Sequence, residues 1–440
     1  MPLGSMICGL WKLFDMKSMT TESGVEAPAE ARPTRDLWIL ALLLAFPSTG
    51  FVQKYAGLGG VAAYVAVVVG VVFLSARLTR RFAPWLRRRF RELSIISVVA
   101  LLSGFVLLHP FEDGRGPGKS SDRDEGLEMA VSRLANGETP YYPSNKVAGP
   151  LSVMPGSILL AAPFVALGNS GYQNVFWLAA FLIAGKSFFR DKAAALWVLV
   201  IPLAVSMAAQ YEFVSGGDLI ANGIFVALLF LWTLNAWSDS NAPAWQRWLC
   251  CLLVGVGLAS RANFILLLPL FGAAMWRVAG FKSALLVTSL AGFVTLSLTV
   301  PFYLHDPAGF APLGSSNKLK YWDHVLPFAS RAIVGTTVLA SLLGAVWLLL
   351  RCTRNPIAAF FRCCTIVTLV PMVGAVMVAS WVNGHPDFGI MKDRFGLMFI
   401  YFSLLGWGHG LHLYLRENDE AEAQDNYRDN PKIARHAGTS

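Results

Sequence analysis

Carboxylate side chains are concentrated in one hydrophilic stretch of the sequence, residues 110–150, between two long apolar runs. The stretch contains seven of them: Glu112, Asp113, Asp122, Asp124, Glu125, Glu128 and Glu138. A carboxylate held beside a substrate hydroxyl can accept its proton, and such general-base catalysis accelerates reactions by about 10²–10⁴-fold. Acid–base chemistry is therefore expected first in this part of the chain.

The middle of the stretch has the pattern of a short amphipathic helix. Ser121 or Asp122 is a suitable N-cap, and Gly137 is a stop signal. The apolar face consists of Leu127, Val131 and Leu134. We expect this helix to lie against the membrane or the bundle, with Asp124 and Glu125 at its N-terminal end. An acidic first turn is also ordinary compensation of the helix dipole, so both interpretations stay open here.

A few charged residues lie next to apolar runs that are otherwise almost free of charge. Arg261 and Arg394 are of this kind, and guanidinium groups bind phosphate oxygens through paired hydrogen bonds. An ionisable residue in such a position is a functional candidate, although an arginine can also extend to lipid headgroups. Asp218 follows two glycines and either faces a cavity or caps the next helix.

The sequence patterns that would indicate a metal site or a redox centre are weaker. Three His–Asp neighbours lack a fixed spacing motif: His305/Asp306, Asp323/His324 and His385/Asp387. No metal site and no cofactor are therefore predicted. None of the six cysteines forms a CxxC pair, and five lie in or beside apolar runs. We interpret the cysteines as small hydrophobic residues.

The elements that position these groups must be membrane-spanning helices. Of 440 residues, 55% are hydrophobic and 14% are charged, whereas about 25% are charged in an ordinary soluble domain. The mean hydropathy is +0.53. Too few polar residues remain to cover a soluble core of this size. The composition predicts a polytopic membrane protein.

Apolar runs long enough to be read as spans occur about twelve times, since a helix needs about 20 residues to cross the hydrocarbon. They lie near 37–54, 57–76, 93–109, 172–189, 193–210, 218–236, 248–260, 263–277, 283–304, 332–350, 357–381 and 395–415. The predicted fold class is all-α, a polytopic membrane bundle of about twelve spans with a long outer loop that carries juxtamembrane helices.

The basic residues predict the orientation. Residues 77–92 contain seven arginines, which the positive-inside rule places in the cytoplasm, so that residues 110–150 lie outside. If the apolar run 151–168 spanned, four later basic loops would also lie outside. We therefore predict that 151–168 is a juxtamembrane helix. The predicted regions are a cytoplasmic tail at 1–36, a membrane domain at 37–415 with the outer loop at 110–171, and a cytoplasmic tail at 416–440.

The net charge of +9 is then mainly a topology signal. Membrane lipids, and not nucleic acid, are the expected partners of the basic block. The expected location is the plasma (cell inner) membrane, with many passes and with both termini in the cytoplasm.

An acidic pair at the start of a helix is followed by a glycine, by PYYP and by the apolar segment GPLSVMPG. Motifs in this order resemble those of the GT-C superfamily of integral membrane glycosyltransferases. The segment GLASRANFILLLPL (257–270) is similar to a family stretch that has Lys where this chain has Arg261. KDRFGLMFIYFSLLG (392–406) resembles an Asp-Arg-Tyr segment, with Phe395 in place of the Tyr. The nearest likenesses are polyprenol-phosphate-sugar mannosyl- and arabinosyltransferases.

This resemblance implies transfer of a sugar from a polyprenyl-phosphate donor to a hydroxyl of a glycan, lipid or protein acceptor on the outer face. It places the general base on Asp124, with Glu125 as a second catalytic carboxylate, and phosphate binding on outer-side arginines. The substrate-binding residues are then Asp122, Tyr142, Asp218, Arg261, Asp393 and Arg394. Tyr141 and Tyr142 can alternatively be interface anchors.

Two other functions fit the same composition. A transporter or lipid flippase suits about twelve spans, although midplane charges are sparse and no inverted repeat is evident. A non-catalytic membrane scaffold is the third candidate, and it requires no particular role for the acidic residues of the outer loop.

Overall fold

The computed structural model describes most of the chain between its two tails. The described residues are 33–113, 123–142, 151–314, 321–324, 326–351, 355–393, 397–408, 410–412 and 414–415. These residues form helices joined by short turns, and none of them is in a β-strand. The all-helical prediction is confirmed for this part of the chain.

The principal helices are numbered here in chain order. They are α1 (Pro33–Ala45), α2 (Thr49–Arg88), α3 (Phe90–Asp113), α4 (Arg123–Ala135), α5 (Pro155–Val165), α6 (Tyr172–Phe189), α7 (Lys192–Val205), α8 (Met207–Val214), α9 (Leu219–Ser238), α10 (Ala244–Leu258), α11 (Leu268–Ala279), α12 (Phe281–His305), α13 (Ala329–Arg351), α14 (Pro356–Asn383) and α15 (399–408). Short helical turns occur at Phe46–Ser48, Ala262–Ile265, Ala311–Gly314, Tyr321–His324 and Gly389–Asp393.

Within the described residues, seven helical segments are long and apolar enough to cross a membrane, or eight if α7 and α8 are one broken span. The seven are Thr34–Arg88, Phe90–Glu112, Leu219–Ser238, Ala262–Ala279, Phe281–His305, Ala329–Arg351 and Pro356–Asn383. These are the elements of a multi-pass helical membrane protein. The prediction of about twelve spans is not reached by length and composition. Helix α10 has only 15 residues, the predicted span 193–210 is divided between α7 and α8, and Thr34–Arg88 counts as one segment.

The first apolar region folds back on itself at Gly57. This residue has φ 64° and ψ −168°, a conformation that costs glycine little because it has no Cβ. The ring of Trp38 in α1 consequently packs 5.1 Å from that of Phe73 in α2, measured between ring centroids. The chain reversal at Gly57 coincides with the predicted boundary between spans 37–54 and 57–76.

One end of the bundle, which we call the carboxylate end, is defined by contacts between residues distant in the chain. The hydroxyls of Ser48 and Ser206 are 3.2 Å apart, and Gln53 Nε2 donates to the carbonyl of Pro386 at 2.9 Å. In the same region, the Tyr211 hydroxyl donates to Oε1 of Glu112 at 2.5 Å. The C-terminal end of α3 and the whole of α8 therefore lie at this end.

The opposite end, which we call the basic end, gathers arginines. Arg87 Nη2 lies 2.7 Å from Asp191 Oδ2 at the start of α7, and Arg362 Nη2 lies 3.3 Å from Asp36 Oδ2. Arg80 is placed over the ring of Tyr414, 4.8 Å from its centroid. The arginine block of residues 77–92 is thus at the end away from the acidic loop helix.

Helix α5, within the run 151–168, begins and ends at the carboxylate end. In its first turn, the amide of Gly156 donates to the carbonyl of Ala259 at 2.7 Å. Just after it, Asn169 Nδ2 lies 3.1 Å from His109 Nε2, one turn before the end of α3. Because both of its ends contact the same end of the bundle, the helix does not cross the bundle.

The core of the bundle surrounds α9, which is buried along nearly its whole length. The ring of Phe230 stacks on Phe271 of α11 with centroids 4.8 Å apart and meets Phe360 of α14 edge-on at 5.3 Å. The cysteines in the described residues are free and buried, as predicted for small hydrophobic residues: Cys250, Cys251, Cys363 and Cys364. Cys8 and Cys352 lie outside the described residues.

Candidate functional site

The turn of residues 215–218, between α8 and α9, is packed directly against two carboxylates. Gly216 has a left-handed φ of 67°, and a Cβ on it would lie 3.2 Å from Oδ2 of Asp124. A Cβ on Gly217 would overlap the carboxylate of Glu212. At Gly217 there is no room for a Cβ unless Glu212 moves, and at Gly216 a Cβ would combine a left-handed backbone with a tight contact to Asp124.

We expect Gly216→Ala to lower the free energy of unfolding by about 1–2 kcal/mol for its left-handed backbone, plus the cost of displacing Asp124. Gly137→Ala is the matched control, because Gly137 has φ 75° and no atom within 4 Å of its added Cβ. Chemical denaturation of both variants in one detergent measures the difference. Equal losses in the two variants would contradict the direct packing of Asp124 on the turn.

Asp218 forms the centre of a buried polar cluster. Only 2% of the residue is exposed, and its Oδ1 binds Nη2 of Arg261. Its Oδ2 accepts hydrogen bonds from Asn222 Nδ2 at 2.6 Å and from Ser157 Oγ at 3.3 Å. The side chain makes no capping bond to α9, so the capping alternative is wrong. The headgroup alternative for Arg261 is wrong as well, since its side chain is 13% exposed and bound to Asp218.

The charge of Asp218 is stabilised by two arginines. Burial raises the pKa of this carboxyl, but the charges of Arg261 and Arg123 and the Arg261 hydrogen bond outweigh it, so the pKa lies below its ordinary value. Asn174 of α6 holds the neighbouring backbone, because its Nδ2 donates to the Gly217 carbonyl at 2.8 Å. Asp218 is therefore a fixed carboxylate that orients Arg261.

Glu212 at the end of α8 is the second buried carboxylate of the cluster. Its Oε1 accepts from the backbone amide of Leu219 at 2.9 Å and lies 3.7 Å from Nη1 of Arg123. Glu212 thereby satisfies one of the unpaired amides at the start of α9, which was one of the two roles that the sequence left open for Asp218. Because Arg123 acts on both Glu212 and Asp218, acidic and basic groups alternate through the cluster.

Asp124 in the first turn of α4 is 4% exposed. Burial raises its pKa to about 9, with further contributions from a hydrogen bond to Glu125 and from the charges of Glu125 and Glu128. Its Oδ2 lies 3.5 Å from Nε2 of His109. Its Oδ1 has no hydrogen-bond partner among the described residues. The carboxyl is therefore mostly protonated near neutral pH.

The tautomer of His109 follows from its neighbours. Asn169 Oδ1 accepts from the backbone amide of Gly171 at 2.7 Å, which turns its Nδ2 towards His109 Nε2, at 3.1 Å. Since Nδ2 can only donate, Nε2 is the acceptor. Nδ1 therefore carries the ring proton and donates to the carbonyl of Val214 at 3.0 Å.

The structure brings Asp124, Glu125, Asp218 and Arg261 together at the carboxylate end. Asp122 and Arg394 lie outside the described residues, and so does the side chain of Asp393. Their predicted substrate-binding roles stay predictions.

Tyr142 lies behind the acidic pair. Its ring is buried, and its hydroxyl donates to the carbonyl of Gly126 at 3.3 Å, which holds the start of α4. The neighbouring ring of Tyr141 packs edge-on against Phe310, with centroids 4.6 Å apart. Both tyrosines are buried in protein, so the interface-anchor alternative is wrong.

Three charged or titratable members of the cluster were missed by the sequence reasoning: His109, Arg123 and Glu212. His109 and Glu212 had a usable signal, because each is an ionisable residue at the edge of an apolar run. Arg123 directly precedes Asp124, and nothing in the sequence distinguished it from the other charged residues of the loop. Within the described ranges, no three His, Cys, Asp or Glu side chains are arranged to hold a metal ion.

No protein-family model, curated protein or solved structure matches the chain. The function is therefore argued from the site alone. The cluster offers one carboxyl with a high proton affinity and two guanidinium groups, all at the end of an apolar bundle. These groups suit a reaction that removes a proton and stabilises a departing anion.

Proposed function

We propose that the protein is a membrane glycosyltransferase of GT-C type, which moves a sugar from a polyprenyl-phosphate donor to an acceptor hydroxyl. The main support is the convergence of Asp124, Arg123 and Arg261 at one end of the bundle. Arg123 and Asp124 are neighbours at the start of α4, whereas Arg261 belongs to a distant segment, and burying so many charges is costly when folding is the only purpose. The convergence therefore favours a functional site.

In the proposed reaction, the acceptor oxygen attacks the anomeric carbon of the sugar while the bond to the phosphate oxygen breaks. The acceptor O–H proton passes to Asp124, and the electron pair of the broken bond leaves with the polyprenyl phosphate. One displacement of this kind inverts the configuration, through an oxocarbenium-like transition state. A carboxylate of raised pKa suits the role of base, because its proton affinity is high.

Arg261 is suited to the leaving phosphate. Its Nη2 is bound to Asp218, while its buried Nε has no hydrogen-bond partner among the described residues. A guanidinium carries five N–H donors, so the remaining ones can bind phosphate oxygens. The ion pair with Asp218 then acts as a support that keeps the guanidinium in place.

We also propose a topology of about twelve crossings, with the carboxylate end outside the cytoplasm. Asn174, near the start of α6, lies at the carboxylate end, and Asp191, just before α7, lies at the basic end. These two consecutive helices therefore begin at opposite ends of the bundle. The arginines of residues 77–92 lie at the basic end, which the positive-inside rule assigns to the cytoplasm. Both termini are then cytoplasmic, in the cell inner membrane.

One observation favours the second candidate, a transporter or lipid flippase. Helices α7 and α8 are bent by 91° at their junction. Broken helices of this kind form the substrate sites of many transporters. Here the break leads directly to Glu212 and the glycine turn, so it also serves to place a carboxylate at the site.

Reconstitution in proteoliposomes separates the two candidates. The probes are radiolabelled polyprenyl-phosphate mannose and polyprenyl-phosphate arabinose, added with a bacterial envelope lipid extract as the acceptor source. The expected result is donor-dependent labelling of an acceptor and release of polyprenyl phosphate, with no net movement of donor between leaflets. Movement of donor or of free sugar without any transfer would overturn the proposal in favour of a transporter.

A further inference from the structure

We propose that residues 6–19 of the N-terminal tail dock in an apolar groove on α2 at the basic end. The groove is lined by Leu78, Thr79, Phe82, Trp85 and Leu86. The tail lies outside the described residues. Its sequence, and the place where the chain enters the fold, identify it as the occupant. This docking is independent of the proposed function, because it concerns the end of the bundle opposite the carboxylate end.

The groove is open and almost entirely apolar. Its volume is about 530 Å³, and the described residues that line it all belong to the last three turns of α2. Leu78, Phe82 and Trp85 are about half exposed. They follow one another at intervals of four and three residues, so they lie on one face of the helix. A contiguous apolar surface of this kind is expected to have a partner.

This part of α2 extends beyond the hydrocarbon of the membrane. With the chain reversal at Gly57 at the opposite boundary, the helix from Leu58 to Arg88 is about 46 Å long and covers about 43 Å along the membrane normal at a typical tilt. The hydrocarbon is about 30 Å thick, so about nine residues at the end of α2 lie outside it. These residues include Phe82 and Trp85. Lipid chains leave both rings uncovered, and a segment of protein is therefore the better partner.

The N-terminal tail enters the fold beside this groove. Since the chain reverses at Gly57, α1 runs antiparallel to the second part of α2, and Trp38 packs on Phe73. Pro33 precedes Trp38 by five residues, and Leu78 follows Phe73 by five. Equal distances along two antiparallel helices bring Pro33 to the level of Leu78. The tail therefore joins α1 next to the first residue of the groove.

The linker between residues 6–19 and α1 is long enough for this docking. Residues 20–32 can span up to about 43 Å when extended. The groove from Leu78 to Leu86 is only about 12 Å long. Residues 6–19 can therefore reach the whole groove in either direction.

The sequence of residues 6–19 suits an apolar groove. Four large apolar residues recur at the i, i+3, i+4 and i+7 spacing of one helix face: Ile7, Leu10, Trp11 and Phe14. Lys12 falls on the opposite side. The pattern predicts an amphipathic helix, and such helices bind hydrophobic grooves through anchors at this spacing.

Charges beside the groove favour the same occupant. The linker carries three acidic residues, which are Glu22, Glu26 and Glu30. The exposed arginines along the end of α2 are Arg77, Arg81 and Arg88. The C-terminal tail is also acidic (RENDEAEAQD, 416–425), but this stretch has no large apolar side chain to fill the groove. The N-terminal tail offers both the apolar face and the complementary charge.

The test is the labelling of Phe82→Cys by a water-soluble maleimide in phosphatidylcholine nanodiscs, which leave both faces accessible. Cys8 and Cys352 are first replaced by serine, and the cysteines of the described bundle are buried. We expect deletion of residues 2–19 to raise the labelling rate about tenfold, because a covered site reacts only when its cover opens. Trp245→Cys is the control, since Trp245 is 56% exposed at the start of α10, outside the groove. Its rate is expected to change less than about twofold.

Two substitutions in the otherwise full-length Phe82→Cys chain separate docking from a general effect of truncation. Trp11→Gln is expected to raise the labelling rate as the deletion does. Lys12→Gln places the same side chain on the opposite face and is expected to leave the rate unchanged. Equal labelling with and without residues 2–19 overturns the proposal. Protection lost only on deletion of 416–440, or gained only in phosphatidylglycerol nanodiscs, also overturns it, in favour of the C-terminal tail or of an anionic lipid respectively.

Discussion

Asp124→Asn is expected to reduce the rate of sugar transfer by about 10²–10⁴-fold while leaving the protein folded. The asparagine amide has nearly the shape of the carboxyl group but cannot accept the acceptor proton. Because the buried Asp124 is itself mostly neutral at pH 7, the substitution introduces no new cost of burying charge. A loss of rate without a loss of stability separates chemistry from folding.

The same variant has a defined pH dependence of stability. The pKa of Asp124 is raised to about 9 in the folded protein, so the unfolded chain binds fewer protons at neutral pH. The raised pKa of Asp124 therefore stabilises the wild-type fold most at low pH, and this stabilisation is lost as the pH rises towards about 9. Asp124→Asn removes this group, so the variant is expected to lose less thermal stability than wild type between pH 6 and pH 9.

Transfer rates and unfolding midpoints of the purified variant in proteoliposomes check both parts. Glu138→Gln is the control, because Glu138 lies on the same loop and pairs at 3.2 Å with Arg133, with 54% of its side chain exposed. Its rate is expected to stay within about twofold of wild type, since exposed ion pairs contribute little. A folded Asp124→Asn protein with the wild-type rate would show that Asp124 is not the base.

Arg261→Gln is expected to lower the free energy of unfolding by about 3–5 kcal/mol, because it leaves the buried carboxylate of Asp218 without its cation. The ion pair is well shielded from solvent, with 13% of the Arg261 side chain and 2% of the Asp218 side chain exposed. The double variant Asp218→Asn/Arg261→Gln is expected to regain part of this loss, since neither group is then charged. The difference is a measured coupling between the two residues.

Denaturation of the two single variants and the double variant completes this cycle. Arg133→Gln is the comparison, because it breaks the exposed pair with Glu138 and is expected to cost less than about 1 kcal/mol. If Arg261→Gln and Arg133→Gln lost equal stability, the buried ion pair would not be a structural support of the site.

Much of the architecture follows from the apolar runs, because a chain in hydrocarbon must satisfy its backbone hydrogen bonds within helices. The interruption at Ser206 was not predicted, and residues 193–210 were assigned to one span. The signal was present, since Ser206 is a good N-cap and its hydroxyl accepts from the Ala209 amide at 3.3 Å. Hydropathy alone does not report such a cap.

The site was predictable only in part. Asp218 and Arg261 stand out because charges beside apolar runs are rare, but their mutual binding is a tertiary property across 43 residues of sequence. The same applies to His109, whose partner Val214 is 105 residues away. Sequence patterns identify which groups are costly to bury, and only the packed bundle shows which of them neutralise one another.

The glycine turn at residues 215–218 has a consequence for any mutational map of this protein. Gly216 and Gly217 perform no chemistry, yet a Cβ at Gly216 would press on Asp124 and a Cβ at Gly217 would overlap Glu212. In a saturation screen scored by activity, both glycines are expected to be as intolerant as the acids themselves. Loss of activity at this turn would result from steric conflict and not from loss of a catalytic group. A stability score recorded beside the activity score is needed to distinguish the two causes.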